Sequence, residues 1–187
     1  MFKTIVHCFK FGRGATPNAP SYKVSRIPVT VTGIKAGHNE NEAVKTIDDN
    51  ELTEWRNNGR RSTGWLEYSL VRNSELSEIC MKLTGWRNRS YSLRVLSDNG
   101  TVLWEGLTPK SLGYVTLPLK AGVLTKTVKV ELIGAGEQKD AYSAIVEVEK
   151  GKDLDLFDKS NPNNGDPKDE LRIVEIEFYV KPVDRNL

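Results

Sequence analysis

Between Ile47 and Trp55 the chain gathers Asp48, Asp49, Asn50, Glu51, Thr53 and Glu54 into one short bend. Carboxylates, an amide and a hydroxyl at this spacing have two uses. Asp48 or Asn50 can bond its own backbone two residues on and make a polar turn. Alternatively the oxygens converge on a hard cation, because Ca2+ takes six to eight oxygen ligands at about 2.3–2.6 Å and accepts carboxylates, carbonyls and hydroxyls together. Asp48, Asn50 and Thr53 are the candidate donors. A second group is cationic and aromatic: Arg56, Arg60 and Arg61 follow Trp55, and Arg87 and Arg89 follow Trp86. Guanidinium forks present paired planar donors to carboxylates and hydroxyls, and an indole supplies a flat apolar face with one polar handle. The plain alternative for these arginines, and for His38 in the GHNEN turn, is a solvated loop surface.

Other chemistries leave no trace. His7 and His38 are the two histidines, no G-x-S-x-G or H-E-x-x-H motif occurs, and no glycine-rich phosphate loop is present. A carboxylate pair about 5–9.5 Å apart, as glycoside hydrolysis uses, is a spatial arrangement without a sequence signature. With nothing else pointing to catalysis, the reading is a protein that is not an enzyme. The stretch DLDLFDKSNPNNGD puts Phe157 at a ligand position of a helix-loop-helix calcium loop and lacks its sixth-position glycine, so it is not one. Cys8 and Cys80 allow at most one disulfide, have no zinc spacing, and read as buried free thiols.

Charge narrows the partners. The formal net charge is +2, but residues 135–170 hold ten acidic and five basic residues, a net of −5 that leaves +7 for the rest. So small a total argues against nucleic acid. At 187 residues and 38% hydrophobic, the chain suits one domain with a core of its own. No run approaches the roughly 18 apolar residues that span a bilayer, and MFKTIVHCFKFGRG lacks the apolar centre of an export signal.

The elements that must position these groups are strands. WLEYSL (65–70), SEICMKL (77–83), SYSLRVL (90–96), TVLWE (101–105), GYVTLPL (113–119), KTVKVELIG (126–134) and RIVEIEFYV (172–180) place apolar residues about two apart and are rich in β-branched and aromatic types. Turn signals such as SDNG (97–100) and KAG (120–122) separate them at short intervals. Many short strands with short turns predict an all-β antiparallel sandwich or jelly roll. NEAVKTI is the best helical segment, about two turns at most. Trp65 and Trp104 fall in phase with strand residues and are expected in the core, whereas Trp86 follows Gly85 at a strand end among loop residues. Residues 1–21 read as an N-terminal strand, KTIVHCF, and a glycine- and proline-bearing linker. Residues 22–187 read as the sandwich, with a polar insertion at about 135–170.

In order, A-x-x-x-IDDNELTEW (43–55), TGWLEYSL (63–70), W-R-N-R-x-Y-x-L-R-V-x-S-D-N-G (86–100), TVKVELIG (127–134) and IVEIEFY (173–179) resemble the discoidin-like, family 32 type carbohydrate-binding modules over about residues 28–180. The resemblance implies a galactose-binding-domain-like fold. It also implies a structural Ca2+ bridging the early bend to the final strand, with Asp48, Asn50, Thr53 and Glu175 at the matching positions and Trp55 packed beneath. Asp49 stands where those modules have glycine, so a left-handed backbone is expected there, and YSL stands where they have D-L-G. The implied ligand is a glycan, galactose-type or acidic, met by Trp86 as stacking platform and by Arg87, Arg89, Arg56, Asn57 and His38 as hydrogen-bonding partners. A saccharide has one apolar face and a polar rim, which is why it needs both. The strands WRNRSYSLRV and IVEIEFY are also similar to domains appended to bacterial glycoside hydrolases. That implies a catalytic partner domain, a secreted, periplasmic or cell-surface parent, and, as a variant, a scaffold without sugar affinity.

Overall fold

The computed structural model describes residues 26–84, 89–111, 113–138 and 169–182. Among the described residues, ten strands form two antiparallel sheets. The first sheet runs β1(Ile27–Val29), β10(Arg172–Val180), β5(Glu78–Leu83), β8(Tyr114–Pro118), with the two-residue β3(Trp55–Arg56) also pairing with β10. The second runs β2(Val31–Ala36), β4(Trp65–Glu75), β9(Leu124–Gln138), β6(Arg89–Ser97), β7(Val102–Leu107). The sequence-predicted strands that fall among the described residues are all present, and β10 has the bounds expected of it. The NEAVKTI segment is helical as expected, but as a 3-10 helix, Glu40–Ile47. The expected strand KTIVHCF, the linker and most of the 135–170 insertion lie outside the described residues.

Alternation builds the core. Leu66, Tyr68 and Leu70 of β4, Leu93 and Val95 of β6, and Val128 and Val130 of β9 point inward from one sheet. Ile79 and Met81 of β5 and Ile173, Ile176 and Phe178 of β10 meet them from the other. The rings of Tyr68 and Phe178 pack across the interior with centroids 5.1 Å apart, a tilted arrangement that suits their quadrupoles. Tyr68 is fully buried, and its hydroxyl donates to Thr46 Oγ1 at 3.1 Å, which ties the 3-10 helix to the core. Trp55 is fully buried, and Trp104 packs on the core while partly exposed.

Trp65 departs from expectation. It shares its phase with Glu67 and Ser69, faces outward from β4, and carries Lys129 Nζ over its ring at 5.1 Å. Alternation identifies two faces, and here the larger ring took the outer one because Leu66, Tyr68 and Leu70 already fill the inner. Around it the outer face of the second sheet is a cross-strand ladder of alternating charge. Lys35 pairs with Glu67 at 3.6 Å, Lys129 with Glu131 at 2.9 Å, Glu131 with Arg94 at 3.5 Å, and Arg94 with Glu105 at 2.7 Å.

Candidate functional site

At one end of the sandwich three segments converge: residues 37–39, residues 47–64, and residues 169–175 at the entry to β10. Backbone pairing fixes the meeting point, because Arg172 and Ile173 of β10 pair with Arg56 and Trp55 of β3. Trp55 Nε1 donates to the His38 carbonyl at 2.9 Å, and Asn39 Nδ2 to the Arg56 carbonyl at 3.1 Å, so the first segment hangs on the second. Gly37 makes the approach possible. A Cβ there would lie 2.5 Å from the Thr63 carbonyl oxygen and 2.6 Å from Trp65 Nε1, distances that no real side chain tolerates.

The bend forms both kinds of contact read from its composition. Asp48 Oδ1 accepts from Asn50 N at 3.0 Å and Asn50 Oδ1 from Leu52 N at 3.1 Å, which is the polar turn. Thr53 Oγ1 lies 2.9 Å from both Asp48 Oδ2 and the Asn50 carbonyl, which gathers oxygens of three residues on one side. Asp49 takes the left-handed backbone expected of it, with φ 58°. Glu175 comes from the far end of the chain. Its residue is 6% exposed, it accepts a hydrogen bond from the Asp49 backbone, and its Oε2 is buried with no hydrogen-bond partner. Burial, with Asp48, Glu177 and Asp49 close by, pushes its carboxyl up to about 8.

That carboxylate tests whether a cation suits the place. An unpartnered buried oxygen costs about 1–3 kcal/mol or more, and crowding by acids adds repulsion; a divalent ion would relieve both. Among the described residues no three His, Cys, Asp or Glu side chains stand together as metal ligands. The set of Asp48 and Glu175 carboxylates with Asn50 and Thr53 oxygens fits a hard ion that accepts carbonyl and hydroxyl donors.

The residues assigned to ligand contact divide. Arg56 lies at the site, with 41% of its side chain exposed and Glu170 Oε1 4.0 Å away. His38 is half-buried beside it. Asn57 is a correction: it is 2% exposed, and its amide faces inward. Its Nδ2 donates to the carbonyls of Arg60 at 2.7 Å and Asp169 at 3.2 Å, while Oδ1 accepts from Leu171 N at 2.9 Å. A side chain so enclosed braces backbone and has no donor left for a ligand. Trp86, Arg87 and the side chain of Arg89 lie outside the described residues. Thr84, the last described residue before them, donates its N–H to the Arg172 carbonyl at 3.4 Å. With Arg56 on the other side of Arg172, Thr84 stands about two strand spacings, some 10 Å, from Arg56.

Several partners were not anticipated. Arg61 Nε and Nη2 both donate to Asp169 Oδ1, at 2.9 and 2.7 Å. Arg172 forks onto Glu54, with Nη2 to Oε1 at 2.5 Å, and the second oxygen of Glu54 accepts from Thr84 Oγ1 at 2.6 Å. Burial opposes the charge on Arg172, but the Glu54 fork outweighs it and its pKa moves up. The signal for the Arg61 and Arg56 pairs was present in the sequence, as an acidic stretch ending at Glu170 in a chain otherwise net positive. Arg60 is exposed and has no ion pair among the described residues.

Comparison with solved structures settles the architecture. The structure superposes on a family 32 carbohydrate-binding module of AlyQ, determined in complex with 4,5-unsaturated mannuronic acid, with a TM-score of 0.55 at 14% identity, covering 81% of this chain and 97% of that one. The family 32 module of C. perfringens NanJ, determined in complex with galactose, gives 0.52 at 16% identity over 83% and 98%. The fold is that of the family 32 carbohydrate-binding modules. A longer AlyQ chain that joins such a module to an alginate lyase domain gives 0.59 at 15% identity; it is matched over 87% of this chain, which spans 35% of that chain's length. No protein-family model matches the sequence, and no curated protein matches it. The module fold thus rests on three-dimensional likeness, at identities where sequence has drifted.

Proposed function

We propose that this chain is a non-catalytic carbohydrate-binding module, accessory to a polysaccharide-degrading enzyme of the cell exterior. Its loop end takes a saccharide, and its acidic bend holds one structural Ca2+ through Asp48, Asn50, Thr53 and Glu175. The observation that carries this reading is the buried, unpartnered Glu175 carboxylate facing the Asp48 bend at the loop end of a module fold. The ligand face consists of His38, Arg56 and Arg60, together with Trp86, Arg87 and Arg89. Ca2+ supplies charge neutralisation there and fixes the bend over Trp55. A glycan array with galactose and alginate oligosaccharides, run with calcium and with chelator, tests it. Binding that needs Trp86 and Arg56 and weakens at least about tenfold in chelator is expected; retention of the same sugar by W86A and R56A variants overturns the assignment.

A second reading is a scaffold that packs on its catalytic domain without sugar affinity. It is favoured by the pairing of Arg56 with Glu170 and Arg61 with Asp169, which leaves fewer free donors at the rim. The same pairing weighs against a polyanion or nucleic-acid ligand, since cations already neutralised release few counterions.

A further inference from the structure

Thr84 is held from three directions. Its hydroxyl donates to Glu54 of the segment after the bend at 2.6 Å, its N–H to the Arg172 carbonyl of β10 at 3.4 Å, and its carbonyl accepts from the buried Tyr91 hydroxyl of β6 at 2.9 Å. Tyr91 is in turn locked, its N–H donating to Thr108 Oγ1 at 2.9 Å and its carbonyl accepting from Thr108 N at 2.9 Å. Thr84, the last described residue after β5, is thus tied to Tyr91 of β6. One of the three grips comes from Glu54, the residue next to Thr53. A second strut joins the same two regions, with Lys82 Nζ bonded to Glu51 at 2.5 Å.

We infer that Glu54 is a positioning residue that makes the Thr84–Tyr91 contact respond to a cation at the Asp48 bend. The inference rests on the cation reading above. A cation that draws Thr53 and Asp48 together fixes the backbone at Glu54. Glu54 cannot shift without releasing either the Arg172 fork or the Thr84 hydroxyl, because one carboxylate serves both. The bend and the Thr84–Tyr91 contact then share a coupling free energy, and coupling is reciprocal: whatever fixes that contact also tightens the cation.

Amide hydrogen exchange on the full chain, with calcium chloride or with chelator, reads this directly. In the unaltered protein calcium slows exchange at Thr84 and Tyr91 by about tenfold, a middling coupling. In T84V, which keeps the Glu54–Arg172 pair and removes only the hydroxyl, that response falls below about twofold while calcium still protects residues 48–53. E54Q behaves the same way, and calorimetric calcium affinity of both variants stays within about fivefold of the parent. Calcium heat without protection at Thr84 and Tyr91, or full protection in T84V, overturns the coupling alone. An absence of calcium heat in the parent overturns the cation reading and the coupling with it.

Discussion

The outer face of the second sheet and the bend at Asp48 are both crowded with charge and treat it in opposite ways. On the sheet, Lys35, Glu67, Lys129, Glu131, Arg94 and Glu105 alternate in sign across strands, each with a partner. At the bend, Asp48 and Asp49, with Glu177 from β10, crowd Glu175, and one of its buried oxygens has no partner. Exposed pairs of the first kind add little energy and ask for nothing more. A buried acid among acids is tolerated only if something of opposite charge arrives or a proton stays. The contrast separates surface from site more sharply than the amount of charge does.

The largest effect that tests this contrast is metal addition. At free calcium about a hundredfold above its Kd, binding to the folded state contributes about 2.7 kcal/mol, which for a chain of this size raises Tm by about 5–10 °C. Scanning calorimetry of E175Q should show no such rise; an equal rise would place the ion elsewhere. The second effect is pH. In chelator, Glu175 has its folded-state pKa raised from 4.5 to about 8, chiefly by burial. The protonated form is therefore favoured on folding. Its stabilisation is complete below about 4.5 and is lost as pH climbs through about 8. Calcium should reverse that slope, since it binds the carboxylate, and E175Q should flatten it; thermal melts across this range decide. The smallest effect lies on the ladder. A double-mutant cycle on Arg94 and Glu105 should give a coupling near the limit of detection, diminished by salt and unchanged by calcium. A larger, calcium-sensitive value would erase the distinction between the two regions.

How much of this was legible depended on what each segment repeats. The strand Arg172–Val180 announced itself because Ile176 and Phe178 flank exposed Glu177 in a β-rich run, although the register shifts between Ile173 and Glu175. β1, β2 and β3 were silent. The first has three residues including Pro28, the second is an edge strand with Gly33 and mixed exposure, and the third has two residues, too few to show any period. Phase without direction is why Trp65 was expected inside. The site was legible in its types and not in its bonds. Asn57 was read as a ligand contact because polar loop residues commonly face solvent, but its acceptor and donors satisfy Leu171, Asp169 and Arg60 backbone groups that local sequence does not reveal. The pairs that join Arg61 to Asp169 and Arg172 to Glu54 span more than a hundred residues, beyond any window of pattern.

Gly37 leaves a consequence for anyone altering this protein. The gap between the His38 turn and the Thr63–Trp65 strand entry is set by hydrogen alone, so a single methyl group there acts as a wedge. It would prise the two walls apart from behind while every residue at the rim kept its identity. A neutral-looking change in a bare position is thus the finest available tool for widening the mouth, and the easiest way to spoil it unnoticed.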